Sequence, residues 1–571
     1  MGDSSTTASE ASLSYNLADL FEAVSDRVAE REAIVCGSRR LTYGQLEERA
    51  NRMANHLLSK GVQPGEFVGC YLTNSTEYLE VLLACFKIRA IPVNINYRYV
   101  TEELRYLLID SGLVVLVCNE EFVDRVRSVA AEVPALRHCI VVSPIVVSPT
   151  VVSPTVVSPI VVSPGAEQPG LEMLPDPIRY DEALAAASAD RPLVLGRGDD
   201  DLYLLYTGGT TGMPKGVIWR QADAFFGCIG GGDPMRMSGP VSSPDELLER
   251  IIDFDFVFYA LAPLMHAAAQ WVSLMWLLCG AKVILHSGGF EPVEIWKTVD
   301  VEKVSIMTVV GDAMARPLVD AWDEQGPFEI SSMYSLSNGG APLAPSLRDR
   351  LREIAPNAML TDGFGSSETG IQGSRRLSPG EDPGKGVRFD NVEAGTTVLD
   401  DSGHPVEPGS GVVGRIAHSG YIPLRYHNAP EKTAETFVVI EGTRYVLPGD
   451  MATVEADGSI TLLGRGSVSI NTGGEKVYPE EVEALLKGHP AVYDVLVVGV
   501  ADERWGERVT AVVQPTKGST PTLEELDAHC RGQLAGYKIP RSLVLVEQVV
   551  RSPSGKADYR WAKSTAAASL G

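Results

Sequence analysis

Between residues 16 and 120 the apolar positions alternate between two spacings. Leu46, Ala50, Met53, Ala54 and Leu57 recur at the three- and four-residue intervals of one helix face. Thr42 and Gln45 stand just ahead of them in capping-box spacing, where each side-chain oxygen accepts from a backbone N–H that a helix start leaves unpaired. Gly61 supplies a stop. Short apolar runs at 67–72 and 113–118 have the length of buried strands. Helix and strand patterns taking turns in this way predict an α/β fold on a largely parallel sheet.

Residues 140–164 break the rhythm with five tandem pentapeptides: IVVSP, IVVSP, TVVSP, TVVSP and IVVSP. A proline at every fifth position withdraws an N–H from any ladder, so a regular central strand is not expected. The period is also too short for a solenoid unit. The expectation is a tandem expansion inside a surface loop, extended and mobile. From residue 193 to about 454 the α/β alternation resumes between Gly-rich loops. The C-terminal stretch reads as its own unit. A Gly-rich hairpin at 471–477 leads to Pro479 at a helix start, with Glu480 and Glu481 in the first turn, where the helix dipole favours negative charge. Strands at 495–500 and 509–514, a helix at 523–534 and a strand at 543–549 follow. The expected architecture is therefore α/β. A large multi-subdomain N-terminal domain with mainly parallel sheets spans 1–463, a hinge lies at 464–467, and a small mobile α+β C-terminal lid spans 468–571.

Bulk properties narrow the partners. The 571 residues suffice for several packed units, and 44% apolar with 22% charged residues is ordinary for a globular protein. A net charge of −25 disfavours nucleic acid. It does not oppose ATP, because a few amides and one lysine can hold phosphates locally. No transmembrane run is present, and the first residues lack the basic start and apolar core of a signal peptide, so a cytoplasmic protein is expected. The eight cysteines form no C-x-x-C pair and read as buried thiols, and the nine histidines are scattered.

The densest chemistry lies in Tyr206-Thr-Gly-Gly-Thr-Thr-Gly-Met-Pro-Lys-Gly216, entered from the apolar run 202–206. Gly208, Gly209 and Gly212 let the backbone approach an anion and turn its amides toward it. Thr207, Thr210 and Thr211 add hydroxyl donors, and Lys215 adds a point charge. These are the parts of a triphosphate cradle. It is not a Walker A loop, since Pro214 precedes the lysine and Gly216 follows it.

This loop resembles the signature of the adenylate-forming superfamily: acyl-CoA synthetases, luciferases and peptide-synthetase adenylation domains. Further motifs follow in the family's order over nearly the whole chain, the repeat excepted. Thr361-Asp-Gly-Phe-Gly-Ser-Ser-Glu-Thr369 is similar to the family's Tyr-Gly-x-Thr-Glu segment. The resemblance implies that Phe364 stacks on adenine, that Asp362 faces its amino group, and that Glu368 holds Mg²⁺ together with Thr207. Gly363, Gly365, Ser366 and Ser367 complete that loop. Phe364 and Ser367 stand where Tyr and Thr are commoner, which keeps the ring and the hydroxyl. Ser337-Asn-Gly-Gly-Ala-Pro342 resembles the loop along the adenosine, which implies contacts from Gly339, Gly340, Ala341 and Pro342. Asp450, in Leu447-Pro-Gly-Asp450, and Arg465 match the family's ribose contacts. Gly473 and Gly474 resemble the hairpin lining the pantetheine tunnel. Lys556, in Arg551-Ser-Pro-Ser-Gly-Lys556, resembles the catalytic lysine that bridges the attacking carboxylate and the α-phosphate. At the hinge, where Asp or Lys and then Asp are usual, this chain carries Ser467 and Val468. Pro263-Leu-Met-His266 and Gly311-Asp312 fall in register with the acid pocket. His266 is a candidate gate or acyl-carbonyl contact, and the small residues Ala267, Ala268, Ala269, Gly311 and Gly339 suggest a roomy cavity.

The resemblance implies an acid–CoA ligase using ATP, Mg²⁺ and coenzyme A. Adenylation gives the carboxylate a good leaving group, and the CoA thiol then attacks the carbonyl, with positioning and charge stabilisation doing most of the work. The runs GDAMARPL, GRGSVSINTGGEKVYPEEVE and RSPSGKADYRWAK carry a likeness to fatty acyl-CoA synthetases common in actinobacteria, some of which activate sterol side-chain acids. A medium- or long-chain fatty acid, or a steroid side-chain acid, is expected. An amino- or aryl-acid adenylating enzyme is one rival; the amino-acid form would want an acidic partner for the substrate ammonium and a carrier domain. A non-catalytic ATP-binding protein is the other, and it would be expected to lose at least one of Lys215, Glu368, Asp450, Arg465 and Lys556. A homo-oligomer stays open.

Overall fold

The computed structural model describes residues 13–143, 171–207, 213–377, 387–472, 475–502, 504–531, 533–551 and 556–570. The chain gathers into two compact units.

The first unit comprises Met1–Leu204, Ile218–Asp255 and Trp271–Val283. Its strands Ile91–Asn94, Phe67–Tyr71, Val115–Asn119, His138–Val142 and Pro177–Arg179 lie side by side in that order, all parallel. A parallel sheet is covered on both faces, which is why the inner strands are apolar without alternation, while the edge strand Pro177–Arg179 is half-exposed. The helix Tyr43–Ser59 starts at the expected capping box, with Gln45 N donating to Thr42 Oγ1 at 3.2 Å and Thr42 N to Gln45 Oε1 at 2.9 Å. Leu46, Ala50, Met53, Ala54 and Leu57 are fully buried, and Gly61 follows at φ 75°.

The helix Thr76–Lys87 is buried along its whole length, which carries Lys87 into the interior. Its ammonium lies 2.7 Å from Glu22 and 2.8 Å from Glu47. Arg197 pairs with Glu22, and Arg191 with Glu47, each at 2.8 Å. Burial pushes the Glu22 carboxyl up, yet Arg197 and Lys87 together bring it down to about 2.

The repeat departs from expectation at its start. Ile140, Val141 and Val142 belong to the strand His138–Val142, which pairs on both sides and is buried throughout. The strand ends ahead of Pro144, so this ladder loses no donor. From Pro144 onward the repeat lies outside the described residues.

The second unit comprises Leu205–Val217, Phe256–Gln270 and Ile284–Gly571. Strands Val257–Ala260, Ile306–Val309, Ser335–Gly339 and Met359–Ser366 pair in parallel in that order. The helices Gly311–Gln325 and Pro345–Ile354 connect successive members. Then the chain reverses, and Gly370–Leu377 runs antiparallel along Met359–Ser366. The α/β alternation expected as far as residue 454 ends here. Residues 387–465 form mainly short antiparallel strands, because periodicity reveals which faces are buried but not the direction of a neighbour.

The C-terminal part follows the expected order. The hairpin Ile470–Thr472 with Glu475–Val477 precedes the helix Pro479–Leu486, which has proline in its first turn. The long antiparallel pair Val492–Asp502 and Gly506–Pro515 comes next. The helix Leu523–Cys530 and the strand Ser542–Leu545 end earlier than expected, and a last helix, Tyr559–Leu570, closes the chain. Strand alternation sorts the valines. Val495 and Val497 pack with Val482 and Leu486 on one face, and Leu496 and Val498 with Ala562 and Ala566 on the other. All eight cysteines are buried. Among the described residues no helix is long and apolar enough to cross a membrane.

Candidate active site

In α/β sheets, loops at the carboxyl ends of parallel strands are where ligands are held. In the second unit, register places Asn338 beside both Val309 and Asp362. Asn338 Oδ1 accepts from Gly311 N at 2.8 Å, while its Nδ2 donates to Asp362 Oδ1 at 3.0 Å and to Ala341 O at 3.2 Å. Buried Arg348 holds the other Asp362 oxygen at 2.8 Å. Two side chains thus fix the carboxylate of Asp362. Gly363 continues that strand, and the Phe364 ring lies 5.2 Å from Phe389 at 31°. At Gly365 the pairing is irregular, and a Cβ would collide with the Gly370 carbonyl, so no larger residue fits. Ser366 bonds Thr369 through its hydroxyl at 3.1 Å, and Ser367 leads to Glu368.

Gly339 ends its strand, Gly340 turns at φ 77°, and Ala341 and Pro342 pack against Gly311. A Cβ on Gly311 would lie 2.6 Å from Pro342 O, so its small size serves this close backbone contact rather than cavity space. Asp312, expected beside it along the acid pocket, instead accepts from Ala344 N at 2.7 Å and pairs with Lys487 at 2.8 Å.

Glu368 has a partner that sequence reasoning missed. The Tyr426 hydroxyl donates to Glu368 Oε1 at 3.1 Å, and the Lys215 ammonium stands 5.6 Å over the Tyr426 ring. His427 N donates to Gly216 O at 2.7 Å, which ties this strand to the lysine's. Burial first, and then Glu368, push the Tyr426 hydroxyl well above its ordinary range. Tyr426 sits in a two-residue strand without glycines or repeated charge, so nothing local marked it.

Asp450 and Arg465 are cross-strand partners, 3.5 Å apart. Burial raises the Asp450 carboxyl above its ordinary range and Glu368 adds to this, while Arg465 and Lys556 oppose it. Lys556 keeps an exposed face. Its ammonium is nevertheless held below the usual lysine range by lost hydration first and by Arg465 next, against the pull of Glu368 and Asp450. Glu368, Asp450, Arg465 and Lys556 therefore share one electrostatic neighbourhood. Thr207 ends the strand Leu202–Thr207, half-buried. His266 stands half-buried just before the helix Ala267–Leu278, its Nε2 shielded from solvent. Gly208, Gly209, Thr210, Thr211, Gly212, Gly473 and Gly474 lie outside the described residues.

Glu480 closes against the junction. A Cβ on Gly464 would collide with its carboxylate, and one Glu480 oxygen is enclosed without a hydrogen-bond partner among the described residues. Burial first, then Glu483 and Asp450, push this carboxyl up to about 8 from an ordinary 4.5. The folded chain therefore keeps a proton that the unfolded chain releases, and stability falls as pH rises between these two values. Glu480→Gln is expected to flatten the melting temperature against pH across that window. A profile parallel to that of the unchanged protein would refute the assignment.

Residues 21–425 match the family described as AMP-binding enzyme, and residues 481–556 match its C-terminal domain. A 3-oxocholest-4-en-26-oate–CoA ligase of Rhodococcus rhodochrous is 44% identical over 557 residues, covering 96% of each chain. A medium/long-chain-fatty-acid–CoA/3-oxocholest-4-en-26-oate–CoA ligase of Mycolicibacterium smegmatis is 44% identical over 556 residues, again 96% of each. In three dimensions the chain is similar to an anthranilate–CoA ligase solved with anthranoyl-AMP. The TM-score is 0.79 at 24% identity, over 99% of this chain and 100% of that one.

Proposed function

The chain belongs to the AMP-binding enzymes, and from that premise we propose an AMP-forming acyl-CoA synthetase that joins a steroid side-chain acid, or a medium- or long-chain fatty acid, to coenzyme A. The observation that carries the reading is the meeting of Glu368, Asp450, Arg465 and Lys556 in one neighbourhood. The relatives at 44% identity support the substrate class.

In the first half-reaction a carboxylate oxygen bonds to the α-phosphorus of ATP, and pyrophosphate leaves. In the second the CoA sulfur bonds to the acyl carbon, and AMP leaves. Asp362 accepts from the adenine amino group, its carboxylate oriented by Asn338 and Arg348. Asp450 and Arg465 take the ribose hydroxyls. Thr207 and Lys215 meet the phosphates, and Lys556 offsets negative charge where the carboxylate attacks. Glu368, oriented by Tyr426, and the Thr207 hydroxyl are oxygen donors of the kind a hard cation takes, so these two residues would hold Mg²⁺. When bound, that ion neutralises phosphate charge.

The test is AMP release from ATP and Mg²⁺, with and without CoA, over acetate, fatty, aryl, amino and steroid-ring acids. CoA-dependent AMP with the long fatty or steroid acids is expected. Turnover confined to aryl or amino acids would overturn the substrate class. ATP binding without AMP from any acid would favour the non-catalytic rival.

A further inference from the structure

The helix Gly311–Gln325 opens on Asp312, and from it a line of buried charges runs into the C-terminal domain. Asp312 and Lys487 pair at 2.8 Å with side chains only 7% and 6% exposed. Lys487 lies 3.7 Å from Asp494, and the Arg551 guanidinium grips both Asp494 oxygens at 2.7 Å. Burial pushes Asp494 up, but Arg551 and Lys487 hold it below its ordinary range. Arg551 heads the short segment that ends at Lys556. In the other direction, Gly311 N donates to Asn338, and Asn338 holds Asp362. The same helix meets the same strand again, where Arg316 stacks 4.8 Å over the Tyr493 ring and the Tyr493 hydroxyl reaches Asp320 at 3.5 Å.

We propose that Asp312 and Lys487 are positioning residues for the adenylating step: their ion pair docks the C-terminal domain so that Lys556 comes to Glu368 and Asp450. This rests on the reading of Lys556 given above. The physical argument is one of direction and reversibility. Two charges withdrawn from water hold each other strongly only at contact, so a small displacement loses the attraction while the desolvation cost remains. Such a pair defines one docked geometry sharply. Both groups also hydrate readily once apart, so the contact can open when the thiol of CoA must reach the acyl carbon. Glu483 stands in the same group, its carboxyl pushed up by burial first and drawn down by Lys487 and Arg551.

Asp312→Asn keeps an oxygen for Ala344 N and removes the charge facing Lys487. Lys487→Met removes the other end. Each is expected to slow acyl-adenylate formation roughly 10–100-fold through misplacement of Lys556. The KM for ATP, and thioester formation from supplied acyl-adenylate, should stay within about twofold, because neither depends on that placement. The double variant should be no slower than the worse single one, since both remove the same contact. Equal losses in the two half-reactions, with a lower melting temperature, would show a structural role and overturn the proposal, and so would no loss in either. A parallel Lys556→Ala enzyme separates the two readings. If it forms adenylate normally, the role of Lys556 fails. If it does not, and the pair variants lack half-reaction selectivity, only the docking role fails.

Discussion

Lys556→Ala is expected to slow acyl-adenylate formation by about 10²–10³-fold, the usual consequence of removing one group aimed at charge that develops in a transition state. Thioester formation from supplied acyl-adenylate should survive, because the carbonyl is already activated there. ATP should still bind, since Asp450, Arg465, Asp362 and Lys215 are untouched, and the loss should therefore fall on kcat more than on KM. ATP–pyrophosphate exchange reads the first half-reaction and thioester absorbance the second. Equal loss in both would remove Lys556 from its assigned role.

Much of this site was legible because its residues come in runs. Asp450 follows Pro and Gly in a tight turn, and Glu368 closes a Gly/Ser-rich segment, so local chemistry marks them. The capping box at Thr42 and the strand at 495–500 were legible for the same reason, since each depends on neighbours in sequence. What escaped depends on distant partners. Tyr426 matters only because the fold sets it between Glu368 and Lys215. Asp312 belongs to Lys487, a pairing that no local spacing encodes. The strand at 138–142 was hidden by the prolines that follow it, and the reversal after Ser366 by the blindness of apolar spacing to strand direction.

The second large effect is on stability. Lys87→Met is expected to destabilise the first unit by about 3–5 kcal/mol, the range for breaking a buried ion pair from one side. Lys87 is fully enclosed between Glu22 and Glu47. Methionine matches its length but leaves those carboxylates with only Arg197 and Arg191. Two compact units do not guarantee one transition, so the shift should be read on the earliest step of a calorimetric or denaturant scan. Adding Glu47→Gln should recover part of the loss, because it removes one of the stranded charges. A shift below about 1 kcal/mol would mean that the arginines alone satisfy both acids.

A synthetase of this kind handles an activated acyl group and a free thiol together, so its own sulfur is a hazard. Any thiolate near the surface could be acylated or form a mixed disulfide with oxidised CoA. All eight cysteines are closed in. Burial pushes seven of these thiols upward, Cys530 to about 11 and both Cys139 and Cys279 to about 12. At neutral pH such groups hold almost no thiolate, the form that attacks. The enzyme is thereby insulated from its own product: the sulfur that competes for the acyl-adenylate is the one that arrives with coenzyme A.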